Sequence, residues 1–296
     1  MFESAACDPG TVAVLIPVFN DDGRLANTVQ SVHEQGVPLV VVIVDDGSTP
    51  PIVPAALAPG HDVVVLRHEE NQGIERALNT GLDYIQRRGI RYVARLDNGD
   101  RCVPGRLARQ RAVLESHDVH LVGSAVEWRD DSGRRRFSRA FPTSHDAIVR
   151  ALHHTVALIH PSVMFRTSVL STVGNYSTSY PAAEDFEFFC RIARRHRVAN
   201  LAETLVVTRF DPRGLSMRRR REQLASTLRI QLGFFDAAAW IEPAARRTHA
   251  PAGVRRCRAR ASLRRHQRLH SRGRSGVWMG ERSCGGQLRA PTHSPL

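Results

Sequence analysis

Residues 37–48 read VPLVVVIVDDGS. An apolar run rich in β-branched residues that stops on two aspartates, a glycine and a serine is the pattern of a buried strand ending in a tight turn. The reading extends backwards to VAVLIPV at 12–18, a second buried strand. A polar turn follows at Asn20–Gly23, and Leu25, Val29 and Val32 then recur at helical spacing until Gly36 closes the helix. Forwards, Asp62 to Leu66 makes a third strand. Ile74, Ala77, Leu78, Leu82 and Ile85 form an apolar helical face that stops near Gly89, and Ile90 to Leu96 is a strand delivering Asp97-Asn98-Gly99-Asp100. This order predicts an α/β fold: a Rossmann-like, mostly parallel sheet with right-handed crossovers and helices on both faces. Ligands bind such sheets outside the carboxyl ends of the strands, so the two acidic clusters are expected to face one crevice.

The chain has 296 residues, enough for one large α/β domain with a real core. Its formal charge of +13 suggests a polyanion partner until it is divided by segment. Residues 244–296 hold 13 Arg against Glu281 alone, whereas 1–243 hold 29 Arg against 28 acids. The body is nearly neutral, with no basic stripe interleaved with aromatics, and no nucleic-acid partner is expected. The Arg-rich tail lacks apolar periodicity and is expected to be disordered. Five scattered Cys without C-x-x-C spacing point to a reducing compartment rather than to disulfides or zinc. The N-terminus MFESAACDPG has no basic or apolar leader region, and no apolar run approaches the roughly 20 residues of a membrane span. A cytoplasmic protein is expected, with at most peripheral membrane association.

Beyond Pro104, Leu107–Leu114 reads as a helix, Val119–Trp128 as a strand, Arg134–Arg139 as a polar excursion and Ile148–Leu158 as an apolar helix. Pro161–Phe165 is a candidate strand, and Phe186–Ile192 begins a helix opened by Glu184-Asp185. Across this frame stand PVFN (17–20), VDDGST (44–49), ARLDNGD followed by Pro104 and Arg106, HPSVMFR (160–166) and EDFEFF (184–189). Five motifs in this order resemble the family 2 inverting glycosyltransferases of the GT-A fold, over about residues 11–235.

The resemblance implies a donor pocket and a base. Pro17, Phe19 and Asn20, Asp45 and Asp46, Asn71, Gly73 and Arg76, Asp97, His160 and Arg209 match positions that bind the nucleotide sugar. Asp46 is implied on the nucleobase, and its carboxylate can accept the imide N–H of uracil or thymine. For His160 a structural role competes with a ligand-facing one. Asp185 matches the general base, with Glu184 as its helper; an inverting displacement needs one such group. Arg209 and the Arg218–Arg221 run resemble a basic stretch that can meet phosphate. The family usually reads Asp-x-Asp-Asp where this chain reads Asp97-Asn98-Gly99-Asp100, so Gly99 stands at the usual metal-ligand position. Either Asp97 and Asp100 together hold Mg²⁺ or Mn²⁺, or metal binding is weak.

The implied activity is transfer from a UDP- or dTDP-sugar to an acceptor hydroxyl, on a saccharide or lipid-linked acceptor, in cell-envelope polysaccharide or glycolipid synthesis. A catalytically silent nucleotide-sugar-binding protein is the alternative that Gly99 favours; a nucleic-acid-binding protein has only the tail behind it. The expected organisation is an N-terminal extension (1–10), a nucleotide-sugar-binding half (11–118), an acceptor-binding and catalytic half of the same domain (119–243) and the tail (244–296).

Overall fold

The computed structural model describes residues 8–54, 57, 62–210 and 219–234. The tail and Arg218 lie outside them, and so does most of the N-terminal extension. The first half alternates strands and helices: β1 (Val12–Val18), α1 (Leu25–His33), β2 (Leu39–Asp46), β3 (Val63–His68), α2 (Ile74–Arg87) and β4 (Tyr92–Arg95). Then come β5 (Arg101–Cys102), α3 (Arg106–Ser116), β6 (Leu121–Arg129), β7 (Arg135–Arg139), α4 (His145–Leu152), β8 (Met164–Arg166), α5 (Leu170–Val173), α6 (Glu184–Arg195), β9 (Val198–Arg209) and α7 (Arg220–Phe234).

The strands form one sheet in the order β3-β2-β1-β4-β8-β6-β9-β5, with β7 hydrogen-bonded to β6 off this path. β3, β2, β1 and β4 are parallel, as are β6 and β9. β8 runs antiparallel between β4 and β6 and joins the two parallel groups. Both faces of β1 and β2 are apolar, because alternate residues serve different cores. Ala13, Leu15, Val42 and Val44 pack with Leu78 and Leu82 of α2 and with Phe188 and Phe189 of α6. Val12, Val14, Ile16, Val41 and Ile43 pack with Leu25 and Val29 of α1 and with Leu107 and Leu114 of α3. That double burial is why these strands read as continuous hydrophobic runs.

The second half departs from the sequence expectations in three places. The apolar segment 148–158 is helical only as far as Leu152; Ala157 and Leu158 are buried in irregular chain, where the Ala157 carbonyl accepts from Asn200 Nδ2 at 2.9 Å. The basic excursion is strand β7, exposed along its whole length. It pairs because Asp130 Oδ1 accepts from Ser132 N and Arg134 N (3.1 and 3.0 Å), which sets the turn between β6 and β7. The 12-residue strand β9 has no counterpart in the sequence reading. Its pairing with β6 skips from Leu201 to Thr204, and that irregularity breaks the alternation by which a strand is recognised.

One glycine lets two loops meet at the carboxyl end of the sheet. Gly47 has φ +80°, and a Cβ there would lie 2.5 Å from the Glu70 carbonyl carbon and 2.6 Å from Asn71 N. The turn after β2 therefore touches the backbone of the loop entering α2. Gly47→Ala is expected to destabilise the fold by about 1–3 kcal/mol, read as a lowered thermal midpoint. An unchanged midpoint would mean the two loops part without cost.

Among the described residues no helix is long and apolar enough to cross a membrane.

Candidate active site

The loops after β1 and β2 are stitched together. Asn20, at φ +53°, donates its N–H to Ser48 Oγ (2.9 Å), and its side-chain oxygen accepts from Thr49 N (3.0 Å). Pro17 pairs with Val44 in the ladder beneath, and Phe19 stands half-exposed above it. Asp45 is fully buried and accepts from Ser48 N (2.8 Å), Ile52 N (3.1 Å) and the Arg67 guanidinium. Burial works to raise its pKa, but the hydrogen bonds from Ser48, Ile52 and Arg67 outweigh it and hold the carboxyl below the usual range. Asp45 thus builds the turn after β2.

Asp46 faces the next loop. Oδ1 accepts from His68 Nδ1 (2.7 Å) and Gln72 N (2.9 Å), and Oδ2 accepts from Gly73 N (2.9 Å). Gly73 caps α2 at φ +95°, so Asp46 brings the 71–73 loop to the end of β2; Asn71 and Arg76 are exposed there. A carboxylate offers about four lone-pair positions, and three are taken.

The second acidic cluster is organised by a residue that sequence reasoning passed over. Arg95, the last residue of β4, is 1% exposed. Its guanidinium donates to the Leu15 carbonyl (3.2 Å), the Leu96 carbonyl, the Asp97 carboxylate and His160 Nε2 (3.3 Å). Because an arginine only donates, His160 accepts through Nε2, the atom that also meets the Tyr176 hydroxyl at 3.0 Å. Burial, and then the Arg95 charge, hold the His160 pKa well below the ordinary histidine value. His160 is buried and therefore joins Arg95 to Tyr176 as a neutral ring. The available signal for Arg95 was a charge between Ala94 and Leu96 in an otherwise apolar strand. Arg106 has a supporting role: it is fully buried and donates to the Arg95 carbonyl at 2.9 Å.

Asp97 and Asp100 differ in access. The Asp97 side chain is 42% exposed, whereas Asp100 is buried. Asp100 Oδ1 accepts from Thr208 Oγ and from Arg209 N (3.2 Å) at the end of β9; Oδ2 is buried without a partner. Desolvation, then the Asp97 charge, push the Asp100 pKa to about 8. Among the described residues no three His, Cys, Asp or Glu side chains gather into a metal centre. A divalent cation fits the pair in one respect: a carboxylate oxygen without a partner lies beside a second carboxylate. The protein alone offers a cation little more than Asp97.

Glu184 and Asp185 open α6. Asp185 Oδ1 accepts from Phe186 N at 2.6 Å, and Glu184 Oε2 is buried with no partner. Burial is the first cause that raises both groups, Asp185 to about 6 and Glu184 to about 8. Asp97 adds to the rise at Asp185, and Arg95 opposes the rise at both. Asp97, Asp185, Glu184 and Arg95 therefore share one electrostatic neighbourhood, with His160 and Tyr176 at its edge. The Arg209 side chain pairs with Asp131 (2.7 Å) and Asp22 (3.4 Å), while its backbone N–H holds Asp100. Arg219 pairs with Glu222 in and just before the first turn of α7.

The sequence model of "Glycosyl transferase family 2" matches residues 13–174. The chain is 30% identical over 226 residues to the amylovoran biosynthesis glycosyltransferase AmsE of Erwinia amylovora, covering 74% of this chain and 83% of AmsE. Among solved structures it is similar to S. aureus TarS 1–349 in complex with UDP-GlcNAc, with a TM-score of 0.60 at 18% identity, covering 77% of this chain and 69% of that one. It is also similar to the mannosyltransferase PcManGT from Pyrobaculum calidifontis in complex with GDP-Man and Mn²⁺, with a TM-score of 0.55 at 19% identity, covering 77% and 66%. The fold is GT-A, and the chain belongs to glycosyl transferase family 2.

Proposed function

We propose that this protein transfers a sugar from UDP- or dTDP-sugar to an acceptor hydroxyl with inversion, in the synthesis of a cell-envelope polysaccharide or glycolipid. The observation that carries the reading is Asp185: a half-buried carboxylate at the start of α6, titrating near neutrality beside Arg95 and Asp97. Inversion is one in-line displacement. The acceptor oxygen bonds to the anomeric carbon as the bond to the nucleoside diphosphate breaks, and Asp185 takes the hydroxyl proton. Glu184 stays protonated at neutral pH and leaves the base role to its neighbour. Asp46 reads the base with its remaining lone pair, which accepts the imide N–H of uracil or thymine and leaves cytosine, whose N3 has no proton, without a match. Arg95 fixes Asp97 at the sugar-diphosphate end.

Mg²⁺ or Mn²⁺ would be held by Asp97, Asp100 and the donor's own oxygens, and when bound would neutralise charge on the leaving diphosphate. Because the protein supplies few ligands, Mn²⁺ is expected to bind weakly alone and tightly with UDP, as read by calorimetry. Equal affinity in the two titrations would remove Asp100 from the site. The experiment that tests the whole reading is a screen of nucleotide sugars with and without Mn²⁺, following release of free nucleoside diphosphate. The proposed compartment is the cytoplasm, where the free thiols Cys102 and Cys190 stay reduced. Gly99, at φ +92° in the place of a carboxylate, favours one other reading: a protein that binds UDP and turns nothing over.

A further inference from the structure

We infer that the cleft behind Gly99 is a phosphoryl-anion site, walled by Arg24, Arg101, Arg129 and Arg209. The cleft encloses about 440 Å³ between the start of α1, the turn after β4, the β6–β7 turn and the end of β9. Gly99 opens it. Among the described residues a Cβ at Gly99 would meet only the Arg24 side chain, with Cδ at 3.6 Å in ordinary contact, so a side chain there would project alongside the Arg24 arm. Asp100 does not enter the cleft, because Thr208 and Arg209 N hold its Oδ1.

Four arginines line the cleft against two aspartates; Glu127 holds Arg129 at 2.6 Å, and the aspartates facing the other arginines are poor competitors. Asp130 is occupied by its own turn: Oδ1 accepts from Ser132 and Arg134, and Oδ2 faces Arg134 and Arg136 at 3.6 Å. Asp131 and Asp22 each bridge Arg24 and Arg209 in a ring of alternating charge. Their side chains are 65% and 52% exposed, and exposed ion pairs are worth only about 0–1 kcal/mol. A phosphoryl group carries more charge and takes two parallel bonds from a guanidinium, so it displaces them. Arg101 is exposed and makes no ion pair among the described residues, which leaves its charge available. The ligand's phosphate comes either from the donor diphosphate or from a phosphorylated acceptor. Only that choice of source rests on the proposed transferase reading; the anion site itself does not.

Calorimetry of the full chain with inorganic pyrophosphate, in EDTA and at low salt, tests this. Arg24→Gln and Arg101→Gln should each weaken binding by about tenfold, the loss of one charge-assisted contact. Arg87→Gln, on the exposed face of α2, should leave it unchanged. Asp131→Asn should tighten binding by removing a competitor, an effect that damage to the fold cannot produce. If UDP displaces pyrophosphate, the source is the donor; if UDP binds without displacing it, the source is the acceptor. Equal pyrophosphate affinity in the parent and in the Arg24, Arg101 and Asp131 variants overturns the inference, whatever the donor screen gives.

Discussion

Asp185→Asn is expected to leave UDP affinity nearly unchanged while turnover falls by about 10²–10⁴, the range for loss of a general base. The amide keeps the size of the side chain and its acceptor for Phe186 N, so the start of α6 should stay intact. The pH dependence sharpens the test. Asp185 must be ionised to take a proton, and burial has raised it to about 6. The rate of the parent should therefore fall as pH drops through about 6 and level off above it. That acid limb should vanish in Asp185→Asn and survive in Glu184→Gln, because Glu184 remains protonated until about 8. Turnover in Asp185→Asn equal to the parent would move the base elsewhere, with Glu184 next in line.

Asp46→Ala should act on binding. It removes the acceptor for Gln72 N, Gly73 N and His68 together, and a buried donor left without a partner costs about 1–3 kcal/mol. The entry to α2 should loosen, the donor KM should rise by at least about tenfold, and the preference for uracil over cytosine should fade. Asp46→Asn separates the two contributions. Its oxygen can still serve a backbone N–H, so the loop should recover more than base selectivity does. A parent protein that binds UDP and CDP equally well would sink the base-reading role.

The first half of the fold was legible because β1 and β2 are buried on both faces and end on polar turns. Their boundaries follow from hydrophobicity alone. The second half was less so. β7 is exposed and polar but for Phe137 and exists because of the Asp130 turn, and β9 loses its alternation where it bulges against β6. The site shows the same division. Asp46, Asp97 and Asp185 announce themselves as acids at the ends of strands or the start of a helix. Spacing does not reveal which way a carboxylate turns: Asp45 and Asp100 both face inward, and the partners that hold Asp100 belong to the unread β9. Arg95 was hidden in a chain whose 42 basic residues are all arginine, where one more drew no notice.

β7 bears on how copies of this protein behave at high concentration. A strand hydrogen-bonded on one side leaves a row of backbone donors and acceptors on the other, a template for a second chain. Here the template carries Arg135, Arg136 and Arg139 within five residues. Its one large apolar side chain, Phe137, is turned back onto Trp128 (4.8 Å between ring centroids) and Phe210 (5.8 Å). Two such edges brought together would oppose like charge along their length and gain little apolar contact. The hairpin can thus extend into water without inviting edge-to-edge aggregation.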